Sequence, residues 1–152
     1  VGIVWSGNPQ QGDDTYRSIP LRTLLPALHP GVEWVSLQQE VRPWDQEGMR
    51  TNLAGTHPMR HFGQELRTLD DTAALCAHMD LVVSVCTSVA HLAGSMGKPL
   101  WLLAAHTADW RWLIARDDSP WSPQARLWRQ PRPGDWDSVL AQVHDAIGRL
   151  PT

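Results

Sequence analysis

The chain has 152 residues, 42% hydrophobic and 19% charged, which is the length and balance of about one soluble globular domain with a sizeable core. A formal net charge of −3 argues against a nucleic-acid partner, because the basic patch such proteins need pulls the balance the other way. Two cysteines are too few for a disulfide framework, no window reaches the roughly 18 to 20 apolar residues of a membrane span, and there is no signal peptide, so the expectation is a cytoplasmic protein with reduced thiols.

In chain order, residues 1–5 (VGIVW) read as a buried strand. An apolar opening without an initiator Met leads us to expect a fragment of a longer chain. A long polar loop follows, SGNPQQGDDTYRS. A helix should start at Pro20, which suits the first helical position because its missing N–H would be unpaired there. Leu21, Leu24, Leu25 and Leu28 form its apolar face, and Pro26 must kink or shorten it. Residues 33–37 (EWVSL) form a second strand; residues 44–53 read as a short helix and MRHF as a short third strand.

Asp70 is a suitable helix cap, and Thr72, Leu75, Cys76 and Met79 repeat at helical spacing. DLVVSV is an apolar strand, a helix spans residues 88–96, and Gly97 ends it. LWLL and ARLW supply the last two strands. Trp136, Val139, Leu140, Val143, Ala146, Ile147 and Leu150 make one stripe on a final helix.

Strands that are apolar on both faces and separated by helices imply a Rossmann-like three-layer α/β fold around a parallel sheet. Six strands in the order 3-2-1-4-5-6 put strand one beside strand four, and ligands bind such sheets at that switch point. The loop at 6–18 and the turn at 86–91 should therefore meet. At that turn, Thr87 or Ser88 can cap the helix, or donate to a phosphate at its N-terminus. Helical geometry puts Val89, Leu92, Ala93 and Met96 toward the sheet and His91 away from it, toward solvent or a missing partner domain.

No GxGxxG, GxxxxGK[ST] or GxSxG pattern occurs, which disfavours a dinucleotide site, a P-loop and a hydrolase elbow. Nothing in the sequence assigns Cys86 a base. Pro58 between His57 and His61 argues against a shared helical face and a metal site there. The chain also holds nine Trp but one Tyr and one Phe. Several of these tryptophans (Trp110, Trp112 and Trp121 among them) fall in loops, where half-exposed rings face a ligand or a partner.

TSVAHLAGSMGKPLW, preceded by DLVVSV and followed by DWRWL and SPW, resembles the carboxyl-terminal half of GT-B glycosyltransferases. The likeness is closest to the heptosyltransferase-like family 9 and to the glycosyltransferase-like domain that follows tetratricopeptide repeats in many bacterial proteins. VGIVWSGNP, YRSIPL, VSLQ, DDTAAL and GDWD extend it over nearly the whole chain. The resemblance implies a single nucleotide-sugar-binding domain over residues 1–152, inactive without the amino-terminal half that carries the acceptor-activating base. It implies that Thr87 and Ser88 meet the diphosphate of a nucleotide-sugar donor and that Arg17 adds a cation there. Ser6, Gly7, Asn8, Cys86 and His91 would complete that nucleotide-sugar and phosphate site, with Gln38 and Glu40 at the ribose or base. No metal or cofactor beyond the donor is implied. Family members commonly carry Asp where this chain has Cys86, which opens the alternative of a degenerate, non-catalytic nucleotide- or protein-binding module.

Overall fold

The computed structural model describes residues 1–53 and 59–150. Six strands form one parallel sheet: β1 (Gly2–Val4), β2 (Trp34–Ser36), β3 (Met59–His61), β4 (Val82–Val85), β5 (Leu100–Ala104) and β6 (Ala125–Arg129). Their order across the sheet is β3-β2-β1-β4-β5-β6, the Rossmann-like arrangement expected from the sequence. β1 pairs with both β2 and β4, with Gly2 opposite Val35 on one side and Val82 on the other. The crossing-over of chain direction therefore falls between β1 and β4.

Side chains on a strand alternate between faces, and the core divides accordingly. Ile3, Trp5, Val83, Val85, Leu103 and Trp128 pack in one cluster with residues of α2 (Leu21–Leu24) and α6 (Trp136–Ile147). Val4, Val82, Leu100, Leu102 and Leu127 pack in the other, with Cys76 of α4 (Leu69–Ala77) and Ala90 and Ala93 of α5 (Ser88–Ser95). Two apolar faces on one sheet give the three layers.

Several local expectations are corrected. The polar loop after β1 contains a one-turn helix, α1 (Asp14–Arg17). Pro20 stands at the cap of α2 with an extended ψ of 136°, outside the helix. The shortening expected from Pro26 is seen: α2 has four residues, and a 3-10 turn (Leu25–Ala27) carries the chain on. Residues 44–53 divide into a 3-10 turn (Pro43–Asp45) and α3 (Gln46–Leu53). The cap of α4 is Thr68, not Asp70. Its side chain accepts from the Asp71 N–H while the Asp71 carboxylate accepts from the Thr68 N–H, a reciprocal capping box. Leu150 lies beyond the end of α6 and is exposed. His57 and Pro58 fall outside the described residues.

The face of α5 is corrected in part: Ala93 points inward and Val89 packs against the core as expected. Ala90, Ala93 and Gly94 are its buried residues, while Met96 is exposed. Small side chains let the helix lie close to the sheet, so the helix turns its smallest residues inward. Gly97, at φ +70°, ends it: its N–H reaches the Gly94 carbonyl and the Lys98 N–H reaches that of Ala93, the Schellman pattern that favours glycine.

Candidate functional site

The loop after β1 is fastened before it reaches solvent. Gln38, two residues beyond β2, donates through Nε2 to Ser6 O and Ser6 Oγ (3.0 and 2.8 Å) and accepts through Oε1 from the N–H groups of Trp5 and Ser6. Both ends of the amide are filled. Gln38 is buried and holds two strand ends together, while Glu40 is exposed on the loop beyond it. Asn8 forms a local turn, its Oδ1 accepting from Gln10 N. Gly7 is the floor under Arg17: a Cβ there would lie 2.7 to 2.9 Å from the guanidinium.

Arg17 makes the link between the two loops that the switch-point argument brings together. Its Nη1 donates to the Cys86 carbonyl at 2.9 Å, across the β1–β4 gap. Its Nε lies 3.5 Å from Asp14 Oδ1 and 4.0 Å from Asp13 Oδ1, and that N–H has no hydrogen-bond acceptor. Asp14 is buried and also pairs with Arg42, whose Nη2 reaches Asp14 Oδ2, the Gly7 carbonyl and Ser18 Oγ.

Beyond the Cys86 carbonyl the chain enters α5. Thr87 occupies the cap position, yet its hydroxyl caps nothing. Ser84 Oγ donates to the Val85 carbonyl at 2.7 Å, so the Thr87 hydroxyl, 3.3 Å away, is the donor to Ser84 Oγ. Ser88 is exposed at the first helical position. The free amides at the start of α5 thus keep their partial positive charge, next to the Arg17 guanidinium. The plain-capping alternative is not what the fold adopts.

Cys86 faces the other way. Its Sγ accepts from the Trp112 indole N–H at 3.1 Å. Burial pushes the thiol above its ordinary value, more than the indole hydrogen bond and the Arg17 charge pull it down. It is a protonated thiol at neutral pH, a poor nucleophile.

His91 is exposed and lies on Trp112, ring centroids 5.2 Å apart and planes within 15°. Trp112 itself is fully buried, which corrects its grouping with the exposed rings; Trp110 and Trp121 are the exposed members. Partial desolvation of the ring where it lies on Trp112, then the Arg111 charge, lowers the His91 pKa, so the imidazole is neutral at neutral pH.

Of the residues singled out from sequence, Gly7, Arg17, Cys86 and Thr87 converge at the switch point, with Ser88 one residue on. Gln38 and Ser6 support it from behind; Asn8 and Glu40 stand apart. Sequence reasoning missed Asp14, Arg42 and Asp45. A cleft of about 330 Å³ beside the loop is lined by these three with Ser18, Ile19 and Trp44 among others. Asp45 is buried and accepts from the Trp5 indole N–H (3.1 Å) and from the Leu21 N–H (3.0 Å). The only signal for these residues was their charge, which any solvated loop or helix surface shares. Among the described residues, no three His, Cys, Asp or Glu side chains gather as a metal site, and no helix is long and apolar enough to cross a membrane.

The chain is 29% identical over 149 residues to Protein FlbA of Caulobacter vibrioides, a match that covers 97% of this chain and 24% of that protein. The chain therefore spans about a quarter of the length of the curated relative it matches. No protein-family model matches the chain, and no solved structure matches it.

Proposed function

We propose that this chain is the nucleotide-diphosphate-sugar-binding half of a glycosyltransferase, of the GT-B type that its sequence motifs resemble, acting only with a second domain. The observation that carries the reading is the meeting of the uncapped α5 N-terminus with Arg17 at the β1–β4 switch point. A diphosphate leaving group develops negative charge as the sugar departs. Oriented amides and a guanidinium stabilise that charge without reorganising. A base on the second domain would deprotonate the acceptor hydroxyl.

One observation favours a second reading, a module that binds without transferring. Arg17 already has partners in the Cys86 carbonyl and the Asp14 carboxylate, so a phosphate must compete for it. Cys86, half-buried, also stands where the family that the motifs resemble commonly carries Asp.

A thermal-shift panel with UDP, ADP, GDP and their sugars tests the shared premise. A ligand at 100 times its Kd adds about 2.7 kcal/mol of stability, several degrees in Tm for a chain of this size. Arg17→Ala should weaken the responding nucleotide by roughly 1 to 3 kcal/mol. No shift with any nucleotide at millimolar concentration refutes both readings as nucleotide sites. Replacing Cys86 with Asp in the full-length protein, and assaying transfer from the responding donor, separates the two.

A further inference from the structure

Four of the five crossovers in the sheet place an α-helix between their strands; the fifth, between β5 and β6, has only a 3-10 turn (Trp110–Trp112). In place of a helix it buries one indole and leaves two outside. Trp112 packs on the sheet, while Trp110 and Trp121 are 67% and 68% exposed. Between the two exposed rings lies a cleft of about 210 Å³ lined by His91, Trp110, Arg111, Trp112, Trp121 and Ser122.

The cleft is built rather than incidental. Arg129 Nη2 donates to the carbonyls of Trp112 and Leu113. Leu113 and Ala115 are held at φ 52° and 56°, a region that side-chain-bearing residues rarely occupy and that clusters at ligand sites. At the other wall Gln124 Nε2 donates to the Gly94 carbonyl, and Ser122 sits where a Cβ on Gly94 would lie 2.5 Å from its Oγ. Arg111 stacks over Trp110, its guanidinium carbon 4.7 Å from the ring centroid, and is itself held by both oxygens of Asp109 at 3.0 Å.

Charge and hydrogen-bonding capacity narrow the ligand. Arg111 is neutralised by Asp109, and His91 is neutral at neutral pH. No uncompensated charge is left for a phosphate or carboxylate. Among the described residues, Ser122 Oγ, both His91 nitrogens and the indole N–H groups of Trp110 and Trp121 make no hydrogen bond. They are scattered single donors and acceptors around flat apolar faces. A nucleobase presents an in-plane edge that wants paired donors and acceptors. A pyranose presents C–H faces to an aromatic ring and a rim of hydroxyls that both donate and accept.

We propose that the cleft between Trp110 and Trp121 is a saccharide-binding site that stacks one neutral pyranose ring, free or at the end of a longer glycan. The site adjoins the switch point through the Trp112–Cys86 contact and takes in His91, which the resemblance gives to the phosphate site, but it uses none of Arg17, Thr87 and Ser88. It stands whether or not a nucleotide binds.

Saturation-transfer NMR and calorimetric titration of the whole chain test it, with a panel of neutral methyl glycosides and uncharged oligosaccharides and with nucleosides as a separate arm. At least one saccharide should bind. Trp110→Ala and Trp121→Ala should each weaken it about tenfold, as expected for loss of one stacking face. Both rings are exposed, so both variants should keep the parent Tm, and the nucleotide response of the chain should be unchanged in them. Binding of nucleosides but not saccharides in the cleft overturns the proposal. So does saccharide affinity that survives both substitutions, or no saccharide binding at about tens of millimolar.

Discussion

Two clefts flank the switch point, and they treat their polar groups in opposite ways. Around the loop after β1, Asp14, Arg17, Arg42 and Asp45 are largely answered by partners in the same chain. Around the β5–β6 crossover, the charges cancel locally and the remaining donors and acceptors stay unspent. The first cleft is rich in charge yet partly closed on itself; the second is rich in apolar surface yet open. What separates scaffold from site here is whether the hydrogen-bonding capacity is already filled, and residue type alone does not report that.

The comparison breaks most sharply at Asp14. Its carboxylate is 6% exposed and serves Arg17 and Arg42, which are 12% and 13% exposed. Removing it leaves Arg42 without its counter-charge and Arg17 with only the exposed Asp13 carboxylate at 4.0 Å. Asp14→Ala should cost about 2 to 4 kcal/mol, below the full penalty for a deeply buried pair because both cations keep other acceptors and some solvent. Urea denaturation measures it, and a change within 0.5 kcal/mol would show that the ionic cleft is not what holds the loop. The aromatic cleft should respond less. Arg129→Ala frees two carbonyls and the strained turn they belong to, for about 1 to 2 kcal/mol. Leu113→Gly should move the other way by several tenths of a kcal/mol, since glycine accepts φ 52° without strain. If Leu113→Gly destabilises as much as Arg129→Ala, side-chain packing at Leu113 outweighs its backbone strain.

The sheet was legible in the sequence because its signal is long and repeated. DLVVSV and LWLL are apolar on both faces, and only a parallel sheet covered on both sides buries them so. The switch point followed from strand order, and with it the meeting of Arg17 and the turn after β4. The phase of α5 was legible only in part: Ala93 points inward as expected, but ranking by hydrophobicity also places Leu92 and Met96 inward, whereas close approach selects Ala90 and Gly94. The resemblance puts Gln38 at the ribose or base; the four bonds it makes instead to Trp5 and Ser6 depend on partners more than thirty residues away. Asp14 and Asp45 carried no pattern at all. Burial of a carboxylate is decided by tertiary donors such as the Trp5 indole and the Arg42 guanidinium, and these have no fixed spacing from it.

The smallest effect distinguishes the two ends of the sheet by pH. Partial desolvation lowers the pKa of His91 at the aromatic cleft and of His61 on the edge strand β3. His91 faces Arg111, which lowers its value further, and Asp109, which raises it; His61 faces Glu65, which raises it, and Ser36, whose Oγ lies 3.0 Å from Nδ1. Each imidazole is therefore held neutral in the folded state below the point, about pH 6.5, where the unfolded chain takes up its proton. The unfolded state binds more protons in that window, so stability is fully present above about pH 6.5 and declines as pH falls through the lowered values. The carboxylates with lowered values, such as Asp71 and Asp109, act only as pH drops through about 4 and below. The Val1 ammonium, whose value burial also lowers, is common to the parent and the His variants, so the difference between their slopes from about pH 6.5 to 5 reports the imidazoles. Urea midpoints should fall across that interval in the parent chain. His91→Gln and His61→Gln should each flatten part of the slope, and a slope unchanged by His91→Gln would mean that its ring is as well solvated as a free imidazole, with no neutral wall to the aromatic cleft.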